Sequence, residues 1–146
     1  MGQAMMTMPD IQPGQILTYP YLWAWQSDAG ETEGRKSRPV CVAVAIKRAE
    51  DGLTHLLILA ITTKAPEHGR VALEIPDIER RRAGLDGFKS CWLILDEYNY
   101  DIAETSWYIE PQREPLGRFS KSFMMKVAAG FRQAAGLRPQ RVNRTD

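Results

Sequence analysis

The chain has 146 residues, 44% of them hydrophobic, and a formal net charge of +1, enough to bury one core and too little for a second domain. So even a balance excludes a globally basic nucleic-acid binder, and any nucleic-acid site has to be a local patch. The longest apolar runs, residues 40–46 and 56–61, stop far short of the roughly 18 consecutive apolar residues that a membrane-spanning helix needs.

Residues 1–12 carry scattered methionines but no basic leader and no long apolar segment, so a cytoplasmic protein is expected. Cys41 and Cys91 lie in apolar stretches without CxxC spacing or a neighbouring histidine, the pattern of buried reduced thiols. Neither a metal, a cofactor nor a disulfide is expected.

In chain order, residues 15–25 are rich in Tyr, Trp and Leu. Alternation places Leu17, Tyr19, Tyr21, Trp23 and Trp25 on one face of a strand that Pro20 bends or confines to an edge. Residues 26–37 (QSDAGETEGRKS) are polar and glycine-containing and read as a long exposed loop, which meets Arg38-Pro39 at a strand entrance.

Val40, Val42, Val44 and Ile46 then alternate with Cys41, Ala43 and Ala45, and the second apolar run follows a turn containing Asp51-Gly52, which together make a central hairpin. Val71, Leu73 and Ile75 alternate until Pro76; residues 90–95, extended toward Tyr100, supply another strand, and residues 107–109 a short one. A short helix is expected over residues 78–83, and the charge run at residues 79–82 reads as a solvated face.

The principal helix comes near the end. Ser120 can cap it, and Phe123, Val127, Phe131 and Ala134 recur at spacings of four, four and three before Gly136 and Pro139 stop it. Residues 13–137 thus form one mainly β domain with a C-terminal helix. Residues 1–12 and 138–146, the latter carrying Arg138, Arg141 and Arg144, are expected to be flexible tails.

Three short motifs punctuate this order: Pro13-Gly14-Gln15-Ile16, Gly34-Arg35-Lys36-Ser37-Arg38-Pro39-Val40 and Ile61-Thr62-Thr63, followed by Leu85-Asp86-Gly87-Phe88-Lys89-Ser90. In collinear order over roughly residues 13–136 they resemble the MazF/PemK toxins. That family opens on a G-D-I type strand, continues with G-x-R-P-hydrophobic and I/V-T-S/T elements, and carries D-Q-x-K/R-S/T further on. Gln15, Ala60 and Gly87-Phe88 stand where the family usually shows an acidic residue, a proline, and Gln with its neighbour.

The resemblance implies an SH3-like small β-barrel and a homodimer whose interface forms RNA grooves. It also implies a cognate antitoxin whose flexible tail fills one groove, and an activity: metal-independent, sequence-selective cleavage of single-stranded RNA by transesterification. It assigns active-site roles to Arg38, Thr62 and Asp86.

Cleavage of RNA without a metal needs a base for the 2′-hydroxyl proton, positive groups around the phosphorane and a proton source for the leaving oxygen. Arg38 can clasp two phosphate oxygens and stays charged. Thr62 can donate to a third oxygen, and strand alternation points Thr63 the other way. Asp86 is the candidate base, although an ordinary aspartate is a weak one, and a turn aspartate before Gly87 is the competing reading.

Arg35, Lys36, Lys89 and Ser90 are candidate RNA contacts, with a merely solvated basic loop as the alternative. Of Tyr21, Trp23 and Trp25, at most one is expected to stack on a base, because core packing is the commoner fate of an aromatic stripe. His55 follows the hairpin turn and reads as structural or surface, whereas His68, in the loop at residues 64–70, can approach the site. The rival readings are a non-enzymatic binding module of the same fold, a gyrase-type poison acting by protein contact, and an inactive relative that only binds an antitoxin.

Overall fold

The computed structural model describes residues 10–110, 113–135 and 140–145. Among the described residues, eight strands and three α-helices follow one another: β1 (Gln15–Tyr19), α1 (Ala24–Asp28), β2 (Arg38–Lys47), β3 (Thr54–Thr62), β4 (Ala72–Glu74), α2 (Asp77–Arg82), β5 (Trp92–Ile94), β6 (Glu97–Ile102), β7 (Gly117–Arg118), α3 (Lys121–Ala135) and β8 (Gln140–Asn143). The strands pair in the order β4-β5-β3-β2-β1-β7, and β6 joins the free side of β3 before pairing with β8. Every pairing is antiparallel except that of β6 with β8. The fold is therefore mainly β with one long helix near the C-terminus, and among the described residues no pairing joins the ends of the path.

The β2–β3 hairpin is the centre, and it is buried on both faces. Cys41, Leu59 and Ile61 turn toward a core shared with Phe123 and Val127 of α3, while Val40, Val42, Ile58 and Ala60 turn toward a second core containing Tyr19, Tyr21 and Ala103. Two-sided burial explains why these strands read as near-continuous apolar runs. The expected alternation from Val40 to Ile46 holds only through Val42, because a register shift between Val42 and Val44 inserts an extra residue and reverses the faces. Ile46 consequently ends up exposed.

The first strand is shorter than residues 15–25. Pro20 lacks an N–H to continue the ladder, the chain turns at residues 20–23, and Trp25 sits in α1 rather than on a strand face. Residues 90–102 form two strands, β5 and β6, and residues 107–109 lie in a loop after a 3₁₀ turn at Ala103–Thr105. The short helix expected at residues 78–83 is present as α2. Its charge run is not wholly solvated, however: Glu79 is buried and accepts hydrogen bonds from the Ser120 backbone N–H at 2.9 Å and the Ser120 hydroxyl at 2.6 Å.

Ser120 does cap α3, its Oγ accepting the Phe123 N–H at 3.2 Å, and Phe123, Val127 and Ala134 are buried along one stripe. The expected stop signals, Gly136 and Pro139, lie outside the described residues, as do residues 1–9 and Arg138. The last described segment corrects the expectation of a loose basic tail. Residues 140–143 add β8 to the sheet, and Arg144 is buried. No helix among the described residues is long and apolar enough to cross a membrane.

Candidate active-site groove

The first motif works as a turn. Gly14 has φ of +91°, which favours glycine, and its N–H donates to the Val42 carbonyl at 2.8 Å, so β1 is delivered alongside β2. The second motif needs its glycine for a different reason. A Cβ on Gly34 would stand 2.2 Å from the Pro20 carbonyl oxygen, so only glycine lets the approach to β2 lie against the Pro20-Tyr21 corner.

These contacts bring Arg38 to the start of β2, where it pairs with Tyr19, and Thr62 stands at the end of β3, two residues beyond the last β2–β3 pair, Val40 with Ala60. Both side chains line one open groove of about 710 Å³, together with Lys36, Lys64, Trp23 and Arg70. One part of its lining is Trp23 and Trp25, around α1; another is the loop at residues 64–70.

The Arg38 guanidinium lies 5.2 Å from the Trp23 ring centroid, and its Nε is buried without a hydrogen-bond partner among the described residues. Burial pulls its pKa below the ordinary guanidinium value while Tyr21 pushes it back, yet arginine stays charged. An orphaned N–H on a desolvated cation is a donor waiting for an anionic acceptor. Thr62 Oγ1 accepts the Lys64 backbone N–H at 3.2 Å, which leaves the hydroxyl proton free to donate. Thr63 lines the groove as well, contrary to the alternation expectation, because β3 ends at Thr62.

The other sequence candidates separate. Lys36 lines the groove. Arg35 lines an adjoining recess with Lys36 and Arg38, but it forks onto Glu31 at 2.8 and 3.1 Å and lies 4.9 Å from the Trp25 ring centroid. Asp86, Lys89 and Ser90 are not among the groove's lining residues. Asp86 sits exposed in the connection between α2 and β5, anchored by Leu85 in the core, which leaves it the turn residue of the competing reading. His68 is exposed and does not line the groove either.

His55 is structural, as expected. It contacts the Tyr100 hydroxyl and places Nε2 2.8 Å from Asp51 Oδ2, at the end of the hairpin remote from Arg38. Tyr21 is buried at the floor of the recess that Arg35, Lys36 and Arg38 line, whereas Trp25 is 55% exposed.

Sequence reasoning missed Lys64, Glu67 and Arg70. Their signal was present in the KAPEHGR loop directly after Thr62-Thr63, where attention fell on the histidine. Arg70 is held by Asp96 and Glu97 at 2.7–3.1 Å, and those bonds, Asp96 foremost, raise its pKa. Among the described residues no group of three His, Cys, Asp or Glu is gathered for a metal ion. Comparison with protein-family models and with curated proteins finds no match for this chain.

Proposed function

We propose that the chain is a toxin of the MazF/PemK class: an SH3-like barrel that cleaves single-stranded RNA in this groove, acts as a cytoplasmic homodimer and is held in check by a cognate antitoxin. The observation that carries the reading is the placement of Arg38 and Thr62, the two residues the motifs single out, on one cationic groove edged by tryptophan.

A phosphodiester in the groove meets the Arg38 fork on its non-bridging oxygens and the Thr62 hydroxyl on the same group, while Lys36 and Lys64 neutralise neighbouring phosphates. The charge that accumulates on the phosphorane falls on donors already in place, in a partly desolvated site where they act strongly. The 2′-oxygen attacks phosphorus, the bond to the 5′-oxygen breaks, the departing oxygen takes a proton from water in the open groove, and the products are a cyclic phosphate and a free 5′-hydroxyl. With Asp86 outside the groove, Glu67 is the lining carboxylate suited to take the 2′-hydroxyl proton. Trp25, exposed beside the cations, is the surface for an unpaired base.

Purified protein incubated with a long unstructured RNA tests the reading. Discrete cuts ending in cyclic phosphate support it; binding without cutting favours a non-enzymatic module, and neither binding nor cutting sinks both.

A further inference from the structure

The two walls of the groove come from distant parts of the chain, and one buried carboxylate touches both. Glu97 is 3% exposed. Its Oε2 accepts the Tyr21 hydroxyl at 3.1 Å and the Ala24 backbone N–H at 2.9 Å, where the tryptophan wall begins; its Oε1 accepts Arg70 Nη2 at 3.0 Å, where the opposite loop ends. Asp96 takes up Arg70 Nε and Nη2 and accepts the Val71 N–H at 3.1 Å, so Arg70 cannot swing away from β4. No motif marks Glu97, and it does not line the groove beside Arg38.

Burying the Glu97 carboxylate beside a partly exposed guanidinium is a poor way to gain stability, since an apolar residue of similar volume would serve as well. What the arrangement does supply is a fixed distance between two otherwise unconnected segments. We propose that Glu97 is a positioning residue that sets the width of the groove by tying α1 and its tryptophans to Arg70 and the facing loop. The inference rests on the reading of the groove as an RNA site. Arg38 and Thr62 sit on β2 and β3 and share no hydrogen bond with Glu97, although the Arg38 guanidinium lies over Trp23, so Glu97 acts first on how the strand is gripped.

Glu97→Gln separates the two sides. Its carbonyl oxygen can keep the Tyr21 and Ala24 donors, but its amide then presents N–H groups to Arg70, donor against donor. On a labelled single-stranded RNA, the variant is expected to raise KM at least tenfold with kcat within twofold of wild type. Tyr21→Phe, which loosens the tie from the other side, should raise KM in the same direction. A lowered kcat at unchanged KM, the signature of a reduced folded fraction, overturns the proposal.

A second arm needs no RNA. Arg70→Ala should shift the Trp23 and Trp25 indole N–H resonances in the wild-type background and leave them in place in the Glu97→Gln background. Shifts in both backgrounds or in neither overturn the coupling. A wild-type protein that ignores RNA sinks the functional reading instead, leaving this arm to decide whether Glu97 couples the walls.

Discussion

Arg144, the residue after β8, donates from Nη1 to Asn99 Oδ1 at 2.9 Å inside the core. The same nitrogen reaches the Pro20 carbonyl at 2.9 Å, and the guanidinium lies 4.2 Å from the Tyr108 ring centroid. The C-terminal segment is thereby pinned under the corner from which the tryptophan wall rises. Arg144→Ala is expected to lower stability by about 2 kcal/mol or more, the range for lost hydrogen bonds from a charged donor with a buried partner left behind. Urea unfolding with an unchanged midpoint would contradict this pinning.

Groove membership sets the fate of two carboxylates. Asp86→Asn should leave RNA cleavage within about twofold of wild type, whereas Glu67→Gln should slow it by about a hundredfold, the usual scale for a general base. Initial rates on one substrate decide the matter. The reverse ranking would put Asp86 back into the chemistry.

On the proposed reading, Lys36 and Lys64 act on affinity. Replacing either by alanine should weaken binding of RNA oligonucleotides regardless of sequence and flatten the slope of log K against log salt by about 0.7 for each lost contact to a single strand. A titration in which the slope is untouched removes that lysine from the phosphate path.

Acid titration should separate Asp96 from Glu97. Burial opposes ionisation of Asp96, but the Arg70 fork and the Val71 N–H outweigh it and hold the carboxyl below its ordinary value. The contribution of Asp96 is therefore present in full above its unfolded pKa and lost as pH falls through the lowered one. For Glu97, burial outweighs its three donors and raises the pKa. The folded state then holds the proton more tightly than the unfolded state, and stability falls as pH rises from the unfolded value, 4.5, through the raised one. Glu97→Gln should abolish that decline. Unfolding free energies of the two proteins that run parallel across this window would contradict the assignment.

Much of the scaffold was legible because its signals are local: the Asp51-Gly52 turn, the apolar hairpin strands, the Ser120 cap and the apolar spacing of α3. The site was legible in part, through the collinear placement of Arg38 and Thr62. Long-range pairing carried the rest. Glu97, Asn99 and Asp101 look like the outward face of β6, yet they are buried because Tyr21, Arg144 and Tyr19 come from far along the chain to satisfy them. The same kind of partnership turns a basic tail into β8 and makes Arg70 part of the groove, and hydropathy does not report it.

The central claim is that Arg38 and Thr62 supply the charge stabilisation for cutting RNA. It is tested most directly by cleavage rates of wild type, Arg38→Ala, Arg38→Lys and Thr62→Val on a single-stranded RNA in EDTA. Binding is matched with a substrate lacking the 2′-hydroxyl at the cut. The account predicts metal-independent cutting by wild type and a loss of about a hundredfold or more in Arg38→Ala with the fold intact. Little rescue is expected from lysine, which keeps the charge without the planar fork, and a smaller but measurable loss from Thr62→Val. Wild-type rates in both Arg38→Ala and Thr62→Val, or cutting that appears only with an added divalent ion, would contradict it.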